Sequence, residues 1–137
     1  MDEKSAHQAP HLQIGQSGED LAAHYLEQRG WTIVARNYES QRGEIDIIAS
    51  RPINDGSATE VIFVEVKSRT DAGQTPPHLS VTHRKRRRIT RIGRDFADRH
   101  GQPQTAYRFD VIGVDFGSEP PELHHFEGAF DARGNPY

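Results

Sequence analysis

The chain has 137 residues, 34% hydrophobic and 27% charged, with a formal net charge of −3 at pH 7 and no cysteine. This suits one domain on one core, excludes disulfide frameworks and thiolate metal sites, and leaves no stretch near the roughly 20 apolar residues of a membrane span. The opening MDEKSAHQAPHLQIGQ lacks the apolar centre of a secretory signal, so a cytoplasmic location is expected. The near-neutral total hides an asymmetry. Residues 82–100 carry eight Lys/Arg against two acids, and a local cluster of that kind points to a polyanionic partner.

Residues 1–14 lack periodicity and read as a disordered N-terminal tail. Ser17 can cap a helix beginning at Gly18, with Glu19 and Asp20 favourable in its first turn. Leu21, Ala22, Tyr25 and Leu26 recur at helical spacing, and Gly30 is a natural stop. WTIVARNY (31–38) is a strand of β-branched and aromatic residues. Gly43 marks a turn, and EIDIIAS (44–50) is a second strand. RPINDGSAT (51–59) has the Pro, Asn-Asp-Gly and Ser content of a hairpin connection, longer than a minimal turn and able to alter access to a nearby site. VIFVEVKSR (61–69) is a third strand. Its first residues are apolar on both alternating faces, which predicts a central strand covered on both sides.

TDAGQTPPH (70–78) is a loop. Val81, Ile89, Ile92, Phe96 and Ala97 form the apolar stripe of a helix over about 81–100, ended by Gly101 and Pro103. TAYRFDVIGVDF (105–116) is a fourth strand, LHHFEGAF (123–130) a short edge strand, and 131–137 a C-terminal tail. The order α-β-β-β-α-β(β) predicts an α/β sandwich with a mixed sheet in one domain over 15–130: an antiparallel meander, a helical crossover, then a last strand.

The third strand holds a conflict. Charges are rarely buried in a central strand unless paired or put to use, yet Glu65 and Lys67 interrupt this one. They share a face, about 7 Å apart along the strand. If the second and third strands pair as a hairpin, Asp46 can lie across from Glu65. Two such carboxylates repel and need a cation. Hard oxygen ligands at a partly open site suit Mg²⁺ (or Mn²⁺), which takes one or two carboxylates plus a substrate phosphate and keeps several waters. Lys67 can orient or deprotonate an attacking water, which makes the set a site for metal-assisted phosphodiester hydrolysis.

The helix adds a second signal. HRKRRRITRIGR (83–94) contains six arginines and a lysine without an acid, so its charges repel one another unless an external anion neutralises them. A phosphate backbone does so without sequence preference and with strong salt dependence. Arg84, Lys85, Arg86, Arg87, Arg88 and Arg91 are therefore assigned to nucleic-acid contact; Lys85 could instead sit near the carboxylates, but is assigned with the rest.

The remaining candidates read as structural. Glu44 should point away from Asp46, to a turn or solvent. Asp110 in RFDV either supports the site from behind or simply holds Arg108, and the structural role is favoured. His124 and His125 face opposite sides of a strand and cannot share one metal, and no HxH or HExxH spacing suggests zinc. Trp31, Tyr25, Tyr38 and Phe96 are core candidates. Dinucleotide, NTP and serine-hydrolase motifs are absent.

Asp46, eighteen intervening residues, then Glu-Val-Lys at 65–67 resembles the catalytic signature of the PD-(D/E)XK nuclease superfamily, whose fold is the restriction-endonuclease-like three-layer sandwich. GED at 18–20, YL at 25–26, GW at 30–31, Asn37, GEIDIIA, FVEVKSR, the basic helix and RFDVIGV together resemble the YraN-like family of predicted endonucleases, akin to archaeal Holliday junction resolvases. The match covers roughly 15–130. The resemblance implies Asp46 and Glu65 as metal ligands and Lys67 as the water-orienting group. It brings Glu19 into the site, since resolvase-like members carry a helical Glu there. Ile45 replaces the superfamily's Pro before the Asp, at a position that varies widely. The implied partner is DNA, branched or single-stranded, and the implied assembly, by analogy alone, a homodimer. Two other readings keep the fold without the chemistry: a non-catalytic nucleic-acid-binding module, and a protein-interaction module using the Arg-rich helix.

Overall fold

The computed structural model describes residues 10–70 and 76–136. A five-stranded sheet in the order β1-β2-β3-β4-β5 forms its middle layer. The strands are β1 (Thr32–Ser40), β2 (Gly43–Ile53), β3 (Ala58–Arg69), β4 (Thr105–Asp115) and β5 (Glu122–Phe130). All neighbours are antiparallel except β3 and β4. The parallel pair is joined by the crossover that contains α2 (Pro77–Ser80) and α3 (His83–His100). α1 (Pro10–Gln28) precedes the sheet.

VIFV behaves as a strand covered on both faces. Val61 and Phe63 join Ile48, Ile89, Ile92, Phe96, Phe109 and Val111 under α3. Ile62 and Val64 join Ala22, Ala23, Leu26, Trp31, Ile47, Ile112 and Val114 under α1. Each fully buried aliphatic or aromatic side chain contributes about 1.5–3 kcal/mol, so two independent apolar layers fix the sheet between its helices. The result is a three-layer α/β sandwich of the restriction-endonuclease-like kind. Trp31 and Phe96 are buried, and Tyr25 and Tyr38 pack against the two clusters. Among the described residues no helix is long and apolar enough to cross a membrane.

Three segments differ from expectation. α1 starts at Pro10, not Gly18, so residues 10–14 are helical while 1–9 lie outside the described residues. Proline suits a first helical turn, where its missing N–H is not needed. Gly18 has a packing role instead: a Cβ there would stand 1.9 Å from Ser68 Oγ, so only glycine lets α1 approach β3 this closely. Gly30 does end the helix region, at φ +92°, with Trp31 N donating to Leu26 O at 3.0 Å.

The 51–59 connection is a tight hairpin. β2 and β3 pair out to Ile53 and Ala58 and turn at Asn54–Gly56. That turn lies about 20 Å along the strands from Asp46, too far to control access there. The C-terminal segment is held rather than loose. Asp131 N donates to Asn135 O, Phe130 bridges Pro136, and Arg86 Nε donates to Gly134 O at 2.6 Å.

Candidate metal and nucleic-acid site

The β2–β3 ladder runs in register from Ile53 and Ala58 to Ile47 and Val64, then stops. Asp46 is the next residue. Its side chain takes over where the backbone pairing ends, with Val66 N donating to Asp46 Oδ2 at 2.8 Å. A carboxylate at the split of two central strands is enclosed by protein yet close to the sheet's end. Burial, then the charge of Glu65, push the Asp46 carboxyl up to about 8, with Glu19 adding to the rise. The Val66 N–H and Lys85 oppose it.

Glu65 is nearly enclosed, its side chain 4% exposed, and Lys85 Nζ lies 2.6 Å from its Oε2. Lys85 reaches it from the first turn of α3, where Thr82 Oγ1 accepts from Lys85 N at 3.2 Å. Burial pulls the Lys85 ammonium down, but its hydrogen bond to Glu65 and the charges of Glu65 and Asp46 outweigh this and hold it above the ordinary lysine value. Lys85 thus stands at the carboxylates, not on the outer basic face assigned to it from sequence. Lys67, two residues after Glu65 in β3, is half-buried and pairs with Gly113 in the ladder to β4; its side chain has no hydrogen bond or ion pair among the described residues.

Glu19 approaches from α1. Burial raises its carboxyl, helped by the charge of Glu44 and opposed by Arg36 and a hydrogen bond from the Asn37 side chain. Arg36 lies 3.6 Å from Glu19 and 2.7 Å from Asp20. Asn37 is left-handed within β1, at φ +51°, a conformation that asparagine tolerates better than most residues. Glu44 is exposed, as expected.

The basic face of α3 has an ordered shape. A cavity of about 360 Å³ is lined by Arg42, His83, Arg84, Arg87, Arg88 and Arg91. A second, of about 490 Å³, shares His83, Arg87 and Arg91 and adds Arg94 and Arg133. Arg88 lies across the β1–β2 turn, its Cδ 2.9 Å from where a Gly43 Cβ would stand. The groove therefore passes over the start of the strand that carries Asp46 three residues later. Arg86 does not face it. Its guanidinium donates to the carbonyls of Val81 and Gly134, so this arginine clamps the C-terminal segment to α3.

Asp110 sits on the other side of the sheet. It is fully buried and accepts from Arg108 Nε and Nη2 at 2.8 and 2.9 Å, and from Gly128 N at 3.0 Å. His125 Nε2 lies 2.7 Å from Asp110 Oδ2. Burial works to raise the Asp110 carboxyl, but these donors, Arg108 foremost, bring it below the ordinary value. Asp110 is a structural anchor for Arg108, and the histidine pair offers no joint metal site.

A divalent cation can be tested against this arrangement. Asp46 and Glu65 supply hard, crowded oxygen donors whose repulsion a cation would relieve. Among the described residues no group of three or more His, Cys, Asp or Glu side chains converges as a ready ligand cage. Asp46 and Glu65 are the residues that could hold such an ion, as two carboxylate ligands.

A mixed sheet between two helices, with acids from β2 and β3 at a strand split, defines a protein of the restriction-endonuclease-like fold class. The chain belongs to the UPF0102 family: the model described as "Uncharacterised protein family UPF0102" matches residues 18–114. This is the YraN-like group that the motifs resemble. A UPF0102 protein of Anaeromyxobacter dehalogenans (strain 2CP-C) is 42% identical over 123 residues, covering 90% of this chain and 87% of the relative. One from Geobacter metallireducens is 38% identical, covering 86% and 92%. One from Rhodococcus jostii is 38% identical, covering 89% and 99%.

Proposed function

We propose that this protein is a Mg²⁺- or Mn²⁺-dependent endonuclease acting on DNA, branched or single-stranded. One observation carries the reading: Asp46 and Glu65 follow directly where the β2–β3 ladder ends at Ile47 and Val64, and Lys85 of the arginine-rich helix α3 reaches Glu65 there. Asp46 and Glu65 would hold the ion, which when bound supplies Lewis-acid polarisation of the phosphate and an acidified water. Arg84, Arg87, Arg88 and Arg91 neutralise phosphates on either side and set the strand over the carboxylates, a charge-based and sequence-independent grip. Lys67 orients the attacking water, and Glu19 adds negative charge beside Asp46.

The test is cleavage of branched, nicked and single-stranded DNA with Mg²⁺ or Mn²⁺, by wild type, Asp46→Ala and Lys67→Ala. Cutting by wild type that both variants lose supports the reading. Wild type no better than the variants on any substrate removes catalysis.

A second reading is a binding module that keeps the fold without turnover. The ion pair of Lys85 with Glu65 favours it, because the pair already satisfies one carboxylate without a metal. It predicts salt-dependent DNA binding that survives Asp46→Ala.

A further inference from the structure

We propose that Lys85 is a built-in counter-ion of the Asp46–Glu65 pair that competes with the divalent cation and leaves Glu65 when the cation binds. This rests on the metal-site reading above. The structure contains, for comparison, an ion pair built to stay. Arg108 grips fully buried Asp110 with two nitrogens, and His125 and Gly128 N complete its shell. Planar, bidentate arginine is suited to such permanent pairing.

The Glu65 pair is made differently. A single ammonium meets a single carboxylate oxygen, and the lysine side chain is 44% exposed while the glutamate is 4% exposed. Lysine is a compact charge on a flexible stem, so this ammonium can swing out without disturbing the helix that carries it. Thr82 caps that helix through the Lys85 backbone rather than its side chain.

The helix also gives the ammonium somewhere to go. Arg84, Arg87 and Arg88 flank Lys85 in sequence and line the groove, so an outward Lys85 joins the same phosphate-facing surface. Without a bound cation the lysine offsets the cost of the buried Glu65 beside part-buried Asp46. With the cation in place, one positive charge is released to the nucleic-acid face. Ion and nucleic acid would then favour each other's binding, since linkage between two ligands is reciprocal.

The test is Mn²⁺ affinity, measured by calorimetry on wild type, Lys85→Met, Lys85→Arg and Asp46→Ala, without nucleic acid. Lys85→Met should bind Mn²⁺ about tenfold more tightly than wild type, as expected when a partly exposed charged competitor is removed. It should also melt at a lower temperature without metal and gain more from Mn²⁺. Lys85→Arg, which grips a carboxylate with two nitrogens, should bind Mn²⁺ several-fold more weakly and decides the matter should the Met variant not fold. Equal or weaker affinity in Lys85→Met, or equal or tighter affinity in Lys85→Arg, overturns the inference while the metal site stands. Absence of Mn²⁺ binding in wild type, or binding that Asp46→Ala leaves intact, overturns the metal-site reading and the inference with it.

Discussion

Asp46→Asn should make the metal-free protein more stable at neutral and alkaline pH. Asparagine keeps the shape of the side chain and an oxygen for the Val66 N–H, but removes the charge that burial and Glu65 oppose. The native carboxyl stands at about 8 against an ordinary value of 3.8. The folded state therefore holds this proton more firmly than the unfolded chain. Stability on this group's account is full below about pH 4, falls as pH rises, and levels off above about 8. A tenfold change in a protonation equilibrium is worth about 1.4 kcal/mol, which puts a ceiling of about 6 kcal/mol on the cost at pH 8. Side-chain relaxation and water entry bring the realised cost to roughly 2 kcal/mol. For a domain of this size that corresponds to a melting temperature about 6 °C higher in the variant. The assay is thermal unfolding in chelator at pH 8 and pH 5, where contributions common to both proteins cancel in the difference. A gain at pH 8 that shrinks at pH 5 is expected. A variant no more stable than wild type at pH 8, or a gain independent of pH, would refute the reasoning about the carboxylate pair.

Other outcomes follow from the same geometry. Reversing Arg84, Arg87 and Arg91 to Glu should weaken oligonucleotide binding and flatten its salt dependence, by roughly 0.7–0.9 in log–log slope for each phosphate no longer neutralised; an unchanged slope would place the nucleic acid elsewhere. Arg86→Ala should lower stability by about 1–2 kcal/mol in denaturant titrations, because its hydrogen bonds to Val81 and Gly134 disappear, yet leave that salt slope intact. Asp110→Ala leaves Arg108 only its hydrogen bond to Glu60, strips His125 and Gly128 N of their acceptor, and should cost about 1–3 kcal/mol. Because the folded Asp110 carboxyl lies below its ordinary value, the Asp110 contribution should be present above about pH 4 and disappear as pH falls through the lower folded value.

The sheet is legible in the sequence because its signals are local. Alternation in VIFV assigns Val61 and Phe63 to one face and Ile62 and Val64 to the other. The charges in EIDIIAS and FVEVKSR stand out against such a background. Spacing also brings Asp46 and Glu65 close, since a hairpin between β2 and β3 permits little else.

What spacing cannot supply is the rotation of a helix against a sheet. Lys85, Arg86 and Arg87 are consecutive in sequence, yet they point to Glu65, to the C-terminal segment and to the groove. A run of like residues carries no mark of that division, so charge pattern alone groups Lys85 and Arg86 with the outer face. The start of α1 is hidden for a related reason. Gly18 looks like a helix beginning until Ser68, fifty residues away, shows why it must be small. Arg133 joins the basic surface only because the end of the chain folds back onto α3.

The central claim is that the β2–β3 split holds a divalent cation, and a crystal structure of Mn²⁺-soaked protein tests it most directly through anomalous density. An ion held by Asp46 and Glu65 is expected, with Lys85 Nζ withdrawn from its 2.6 Å contact with Glu65. A Mn²⁺-saturated crystal with no anomalous density at the split and the Lys85–Glu65 pair intact would contradict it.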